Sequence, residues 1–110
     1  MQIARRSSRQ PVHDNISVVD VMTTQVIGFL ADLSESGMML LSHADLRKDA
    51  LYQLRFYLNG HDTGTPINVG VHLLWQGQAN ASGQRQSGFR FLTISDEQRD
   101  QIRRWVETQE

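Results

Sequence analysis

Two stretches of alternating residues constrain this chain more than any other feature. Ile67, Val69, Val71, Leu73 and Trp75 alternate with Asn68, Gly70, His72, Leu74 and Gln76, while Tyr52, Leu54, Phe56 and Leu58 alternate with Gln53, Arg55, Tyr57 and Asn59. A period of two puts each set on one face of an extended strand, so both stretches read as half-buried antiparallel sheet. A surface helix would instead need apolar residues three and four apart. The middle of the chain is therefore β structure, and the alternation places Trp75 with the core set.

The flanking segments extend the pattern. Ile16–Met22 is rich in β-branched residues, Val26–Asp32 runs into the turn cluster Ser34-Glu-Ser-Gly37, and Met38–Leu41 resumes an apolar run. The segment Gly60–Pro66 reads as a hairpin loop, Asn80–Gly83 as a second, and Ser87–Leu92 as the last strand. In that last strand Arg90 points opposite to Phe89 and Phe91, toward solvent. The period then changes. Ser95 with Gln98 forms a capping box, Asp96 and Glu97 favour the positive end of a helix dipole, and Ile102, Trp105 and Val106 share one helical face. Six strands leave two edges, and closing them into a small barrel satisfies both. The expected fold is all-β with one helix: a six-stranded antiparallel β-barrel over 11–110, a C-terminal helix over 95–108, and a flexible arm over 1–10. A β-sandwich is the other arrangement the pattern allows.

Composition narrows the function. The chain has 110 residues, a net charge of −1 and no cysteine. That length suits a single domain, and the missing cysteines exclude disulfides and thiolate chemistry. The charge argues against a general DNA or RNA coat. No apolar run approaches a membrane span and no signal peptide is evident, so a cytoplasmic location is expected. His13, His43, His61 and His72 have no metal-ligand spacing, and no nucleophile elbow, Walker loop or dinucleotide fingerprint occurs. Neither catalytic residues nor a metal or cofactor are expected.

Two features remain. Arg5-Arg-Ser-Ser-Arg9 gives an Arg-x-x-x-Arg pair on the basic arm, and Asp32-Leu-Ser-Glu-Ser-Gly37 gives Asp-x-Ser-x-x-Gly at a strand end. Each alone is commonplace, and the second alone would pass for a β-turn whose Asp and Ser bond their own backbone. Their order, separated by a short run of strand, is more telling.

With these motifs, the strand ending Leu74-Trp75, the Gly88-Phe-Arg-Phe91 strand and the terminal helix, the sequence resembles the PilZ domain family of cyclic di-GMP receptors. The resemblance covers nearly the whole chain and implies a six-stranded barrel with a C-terminal helix. It also implies that the first motif clasps the ligand while the second lines the barrel beneath it. Carried over by position, Arg5, Arg9, Asp32, Ser34 and Gly37 bind the ligand, with Arg6, Ser36 and Trp75 as accessory contacts.

The residue types suit that ligand on physical grounds. The arginine fork can bond guanine or phosphate in a bidentate way and can stack on a base. Asp32 can accept from guanine N1–H and N2–H₂, and Gly37 is expected to turn the backbone with positive φ. An arm free as far as Gln10 would cost on the order of 6–12 kcal/mol to order from Arg5, at ~1–2 kcal/mol per residue. Cyclic di-GMP is thus the expected partner of a monomer or ligand-linked dimer that signals to an unidentified effector protein. A second possibility is a PilZ-like adaptor of pilus or motility machinery that acts without the nucleotide. An oligonucleotide-binding barrel ranks third, because the aromatic residues mostly follow the inward period.

Overall fold

The computed structural model describes residues 9–13, 15–43, 45–58 and 64–108. Among these residues seven strands precede one helix: β1 (Gln10–Pro11), β2 (Ser17–Asp20), β3 (Gln25–Leu33), β4 (Gly37–Ser42), β5 (Leu51–Phe56), β6 (Ile67–Gln76), β7 (Arg85–Thr93) and α1 (Asp96–Thr108). Six of the strands form a closed antiparallel barrel in the order β3-β2-β5-β6-β7-β4, with β4 pairing back onto β3. Closure removes the open edges that a sandwich would leave.

The seventh strand, β1, is a two-residue addition. It takes the edge of β3 beyond the point where β2 ends, pairing Gln10 with Leu33 and Pro11 with Asp32. Gln10 therefore belongs to the sheet rather than to the arm, and the register of β1 fixes where the basic segment meets the barrel. Proline is tolerated there because β1 lies outside the closed barrel.

The alternation delivers the core it implies. Leu54, Phe56, Ile67, Val69, Val71 and Leu73 are buried, as are Leu33, Met38, Leu40 and Phe89 from the facing strands. Each fully buried side chain of this kind contributes roughly 1.5–3 kcal/mol. Tyr52 joins them edge-on to Phe89, with ring centroids 6.3 Å apart at 82°.

The helix lies against the end of the barrel where the β3–β4 turn and the start of β6 meet. Ser95 caps it, its Oγ accepting from Gln98 N–H at 3.2 Å, and Ile102 and Val106 are buried with Trp105 packed beside them. The Gln98 side-chain carbonyl is taken up by Asn68 N–H of β6. The expected capping residue thus also pins the helix to the sheet.

Candidate functional site

Two β-bulges decide which side chains reach the outer face of the barrel. Simple alternation from the buried Leu30 would send Asp32 inward. The register of β3 on β4 slips between Leu30 and Asp32, so Leu30 faces Leu40 while Asp32 faces Met39. Ala31 is the extra residue, and Asp32 is turned outward. A second slip, between Leu73 and Trp75, does the same on β6: Leu73 faces Phe89 while Trp75 faces Gly88. Trp75 is consequently 43% exposed, not part of the core. Its indole lies over Gly88, where an added Cβ would sit 2.3 Å from Trp75 Nε1. The registers Pro11–Asp32, Asp32–Met39, Met39–Gly88 and Gly88–Trp75 form one transverse row across β1, β3, β4, β7 and β6. Partners in register share a face. Asp32 and Trp75, three strands apart in this outer row, therefore belong to a single surface.

The arm meets the same row. Arg9 Nη1 donates to Asp32 Oδ1 at 2.7 Å, in an ion pair whose arginine side chain is 56% exposed. One residue of the first motif and the leading residue of the second are thus in contact on the outer face. With Gln10 paired and Arg9 bound to Asp32, about 2–4 kcal/mol of the ordering cost of a free arm is already met. Arg5 and Arg6 lie outside the described residues.

The other residues of the second motif shape the turn. Ser34 is fully buried, and its Oγ accepts from Ser36 N–H and Gly37 N–H at 3.3 and 3.2 Å and donates to Gly37 O at 3.2 Å. Its hydroxyl faces the turn rather than solvent. Ser36 is exposed at the rim, with its Oγ 3.2 Å from that of Ser34. Gly37 does not have the expected positive φ, which among the described glycines is found at Gly64 and Gly83. It is required for a different reason: an added Cβ would lie 2.3 Å from the Phe89 carbonyl oxygen of β7. This glycine allows two strands to approach closely.

Residues 4–108 match the profile of the PilZ domain. The chain belongs to the PilZ domain family. Similar solved structures include the Bacillus subtilis inhibitor of motility MotI/DgrA, with a TM-score of 0.76 and 10% identity over 97% of this PilZ chain and 51% of that one. Escherichia coli YcgR in complex with c-di-GMP gives 0.71 at 20% identity, covering 94% of this chain and 45% of that chain. The PilZ domain of YcgR with c-di-GMP gives 0.69 at 21% identity, covering 96% and 90%. This PilZ chain spans about half the length of the first two. No curated protein matches it in sequence.

The PilZ turn is also held from the helix side, a link that sequence reasoning missed because Glu35 occupies a variable position of the motif. Arg103 Nε and Nη2 each donate to the Glu35 carboxylate at 3.3 Å, and Arg99 Nη1 donates to Glu35 O at 3.4 Å. The hydrogen bond that Arg103 donates to Glu35, and then the charge of Glu35, raise the Arg103 pKa above the ordinary arginine value. An open cleft beside α1, lined by Thr65, Ser95, Gln98 and Arg104 among others, holds none of the motif residues. Among the described residues no group of three or more His, Cys, Asp or Glu could hold a metal ion, and no helix is long and apolar enough to cross a membrane.

The burial of Ser34 has a measurable consequence. Ser34→Ala leaves two backbone N–H groups of the turn without this acceptor, one of them on the buried Gly37. A lost buried hydrogen bond of this kind costs ~1–3 kcal/mol. The urea midpoint is expected to fall accordingly at an unchanged m-value; an unshifted midpoint would mean that the turn holds without the hydroxyl.

Proposed function

We propose that this PilZ domain is a cyclic di-GMP receptor that binds the nucleotide on the outer face of β3, β4, β7 and β6 and passes the bound state to a separate protein. The observation that carries this is the Arg9–Asp32 contact, which joins the two motifs on the bulged outer row. Asp32 accepts from the guanine Watson–Crick edge, and Arg9 bonds the base or a phosphate with its fork. Arg5 and Arg6, shortly upstream, supply further cations to the two phosphates. Ser34 and Gly37 act through the shape of the turn, and Ser36 offers a rim hydroxyl. The Trp75 indole, outward over Gly88, packs against a guanine. Support comes also from the two YcgR structures, whose bound molecule is c-di-GMP. This role assigns the domain no catalytic group; its output is a changed surface.

Titration calorimetry on the intact chain, with cyclic di-GMP and with GTP and cyclic di-AMP as controls, tests the proposal. Heat is expected with cyclic di-GMP alone. Affinity should weaken with salt, because charge-assisted contacts are screened. Absence of heat with cyclic di-GMP would leave the adaptor role, for which the likeness in fold to an inhibitor of motility is the supporting observation.

A further inference from the structure

Resting on the cyclic di-GMP role above, we propose that Arg90, which belongs to neither motif, is a further ligand contact that grips a phosphate. Arg90 lies on the outer face of β7, two residues from Gly88, and is exposed. Its partners in register are Gly37 of β4 and His72 of β6. On one flank it therefore faces bare backbone, and along its own strand it faces the glycine that seats Trp75. On the other flank His72 Nε2 is engaged at 3.3 Å by Asp49 Oδ1. Among the described residues no carboxylate lies within ion-pair distance of Arg90, whereas Arg9 has one and Arg103 has two.

The charge balance of the outer row gives this cation its role. Arg9 and Asp32 neutralise each other, so their pair suits the hydrogen-bonding edge of a base better than a phosphate. The ligand brings two phosphate charges, and Arg90 adds a cation fixed on the barrel to those that the arm supplies. Arg90 is two strands and two residues from Asp32, roughly 12 Å between Cα atoms for ordinary strand spacing and rise. A cyclic dinucleotide with its two bases can cover that span. Gly37 puts no side chain between Arg90 and the β3–β4 turn, and the Trp75 ring covers Gly88 beside it, so a flat ligand would meet backbone on one side and an indole on the other.

Calorimetry on Arg90→Ala and Arg90→Lys, at two salt concentrations and with thermal midpoints recorded, tests the assignment. Arg90→Ala is expected to weaken cyclic di-GMP binding by about tenfold or more and to reduce its salt dependence, with an unchanged midpoint. Arg90→Lys is expected to stay within about threefold of wild type, because an ammonium serves a phosphate as a point charge. Arg55→Ala, on β5 and bonded to Asn68, is the control for loss of a positive charge elsewhere and should bind as wild type does. Wild-type affinity in Arg90→Ala would overturn the assignment and leave the receptor role standing. Equal losses in Arg90→Ala and Arg90→Lys would overturn the phosphate contact in favour of a forked contact to guanine. If the wild-type domain itself does not bind, the receptor role falls and the Arg90 assignment falls with it.

Discussion

Arg9→Ala is expected to lower cyclic di-GMP affinity by about tenfold or more while shifting the thermal midpoint by less than about 4 °C. The two halves of that outcome have separate causes. Arg9 is half exposed in the structure, and its ion pair with Asp32 is of the solvated kind that contributes ~0–1 kcal/mol. The barrel therefore barely registers its loss, the more so because Gln10 and Pro11 stay anchored by their own strand pairing. In the proposed complex the same side chain would act in a drier setting, where a bidentate arginine contact with guanine contributes ~1–3 kcal/mol of discrimination. Removing it also leaves Asp32 without the partner that orients its carboxylate. Arg9→Lys should recover only part of the affinity, since the ammonium cannot reproduce the fork. Calorimetry beside a thermal melt reads both quantities. Binding within threefold of wild type in Arg9→Ala would remove Arg9 from the clasp.

Much of this architecture can be read in the sequence because alternation is a strong signal wherever one face is buried. The inward sets of β5 and of β6 up to Leu73 follow directly from it, and the change of period after Ser95 marks the helix. Trp75 shows where that reasoning stops. A bulge adds one residue to one strand and reverses every assignment beyond it, and neither Ala31 nor Leu74 carries a residue type that announces one. The slips come from the registers that neighbouring strands impose, a tertiary property. Gly37 is a similar case: the turn cluster around it suggests positive φ, whereas the actual demand comes from a β7 carbonyl more than fifty residues away in the chain. The motif residues were recognisable by type and order. Their division into Asp32, which faces the outer row, and Ser34 and Gly37, which shape the turn, is a tertiary property.

That division leads to the largest expected loss of stability. Gly37→Ala is expected to cost about 1–3 kcal/mol or more, the usual range for overpacking a tight interior, and to lower the midpoint by roughly 4–8 °C per kcal/mol. The added methyl would stand 2.3 Å from the Phe89 carbonyl oxygen, and that oxygen and the Cα carrying the methyl both belong to backbone held in the Gly37–Arg90 register. No rotamer change relieves such a clash; β4 and β7 must separate beside the turn that Ser34 ties. Because φ at Gly37 is not positive, the penalty is steric, and a serine there should cost at least as much as alanine. Gly88→Ala supplies the contrast. Its methyl would meet the Trp75 ring, a side chain that can swing into solvent, so the midpoint should fall much less. Thermal melts without ligand separate the two cases. A Gly37→Ala domain that melts within about 2 °C of wild type would show that β4 and β7 part at little cost. The motif glycine would then have to be explained by the space it leaves for a base. With the expected large shift, its loss of binding follows from the loss of the turn, and affinity must be measured well below the melting range to isolate any direct contact.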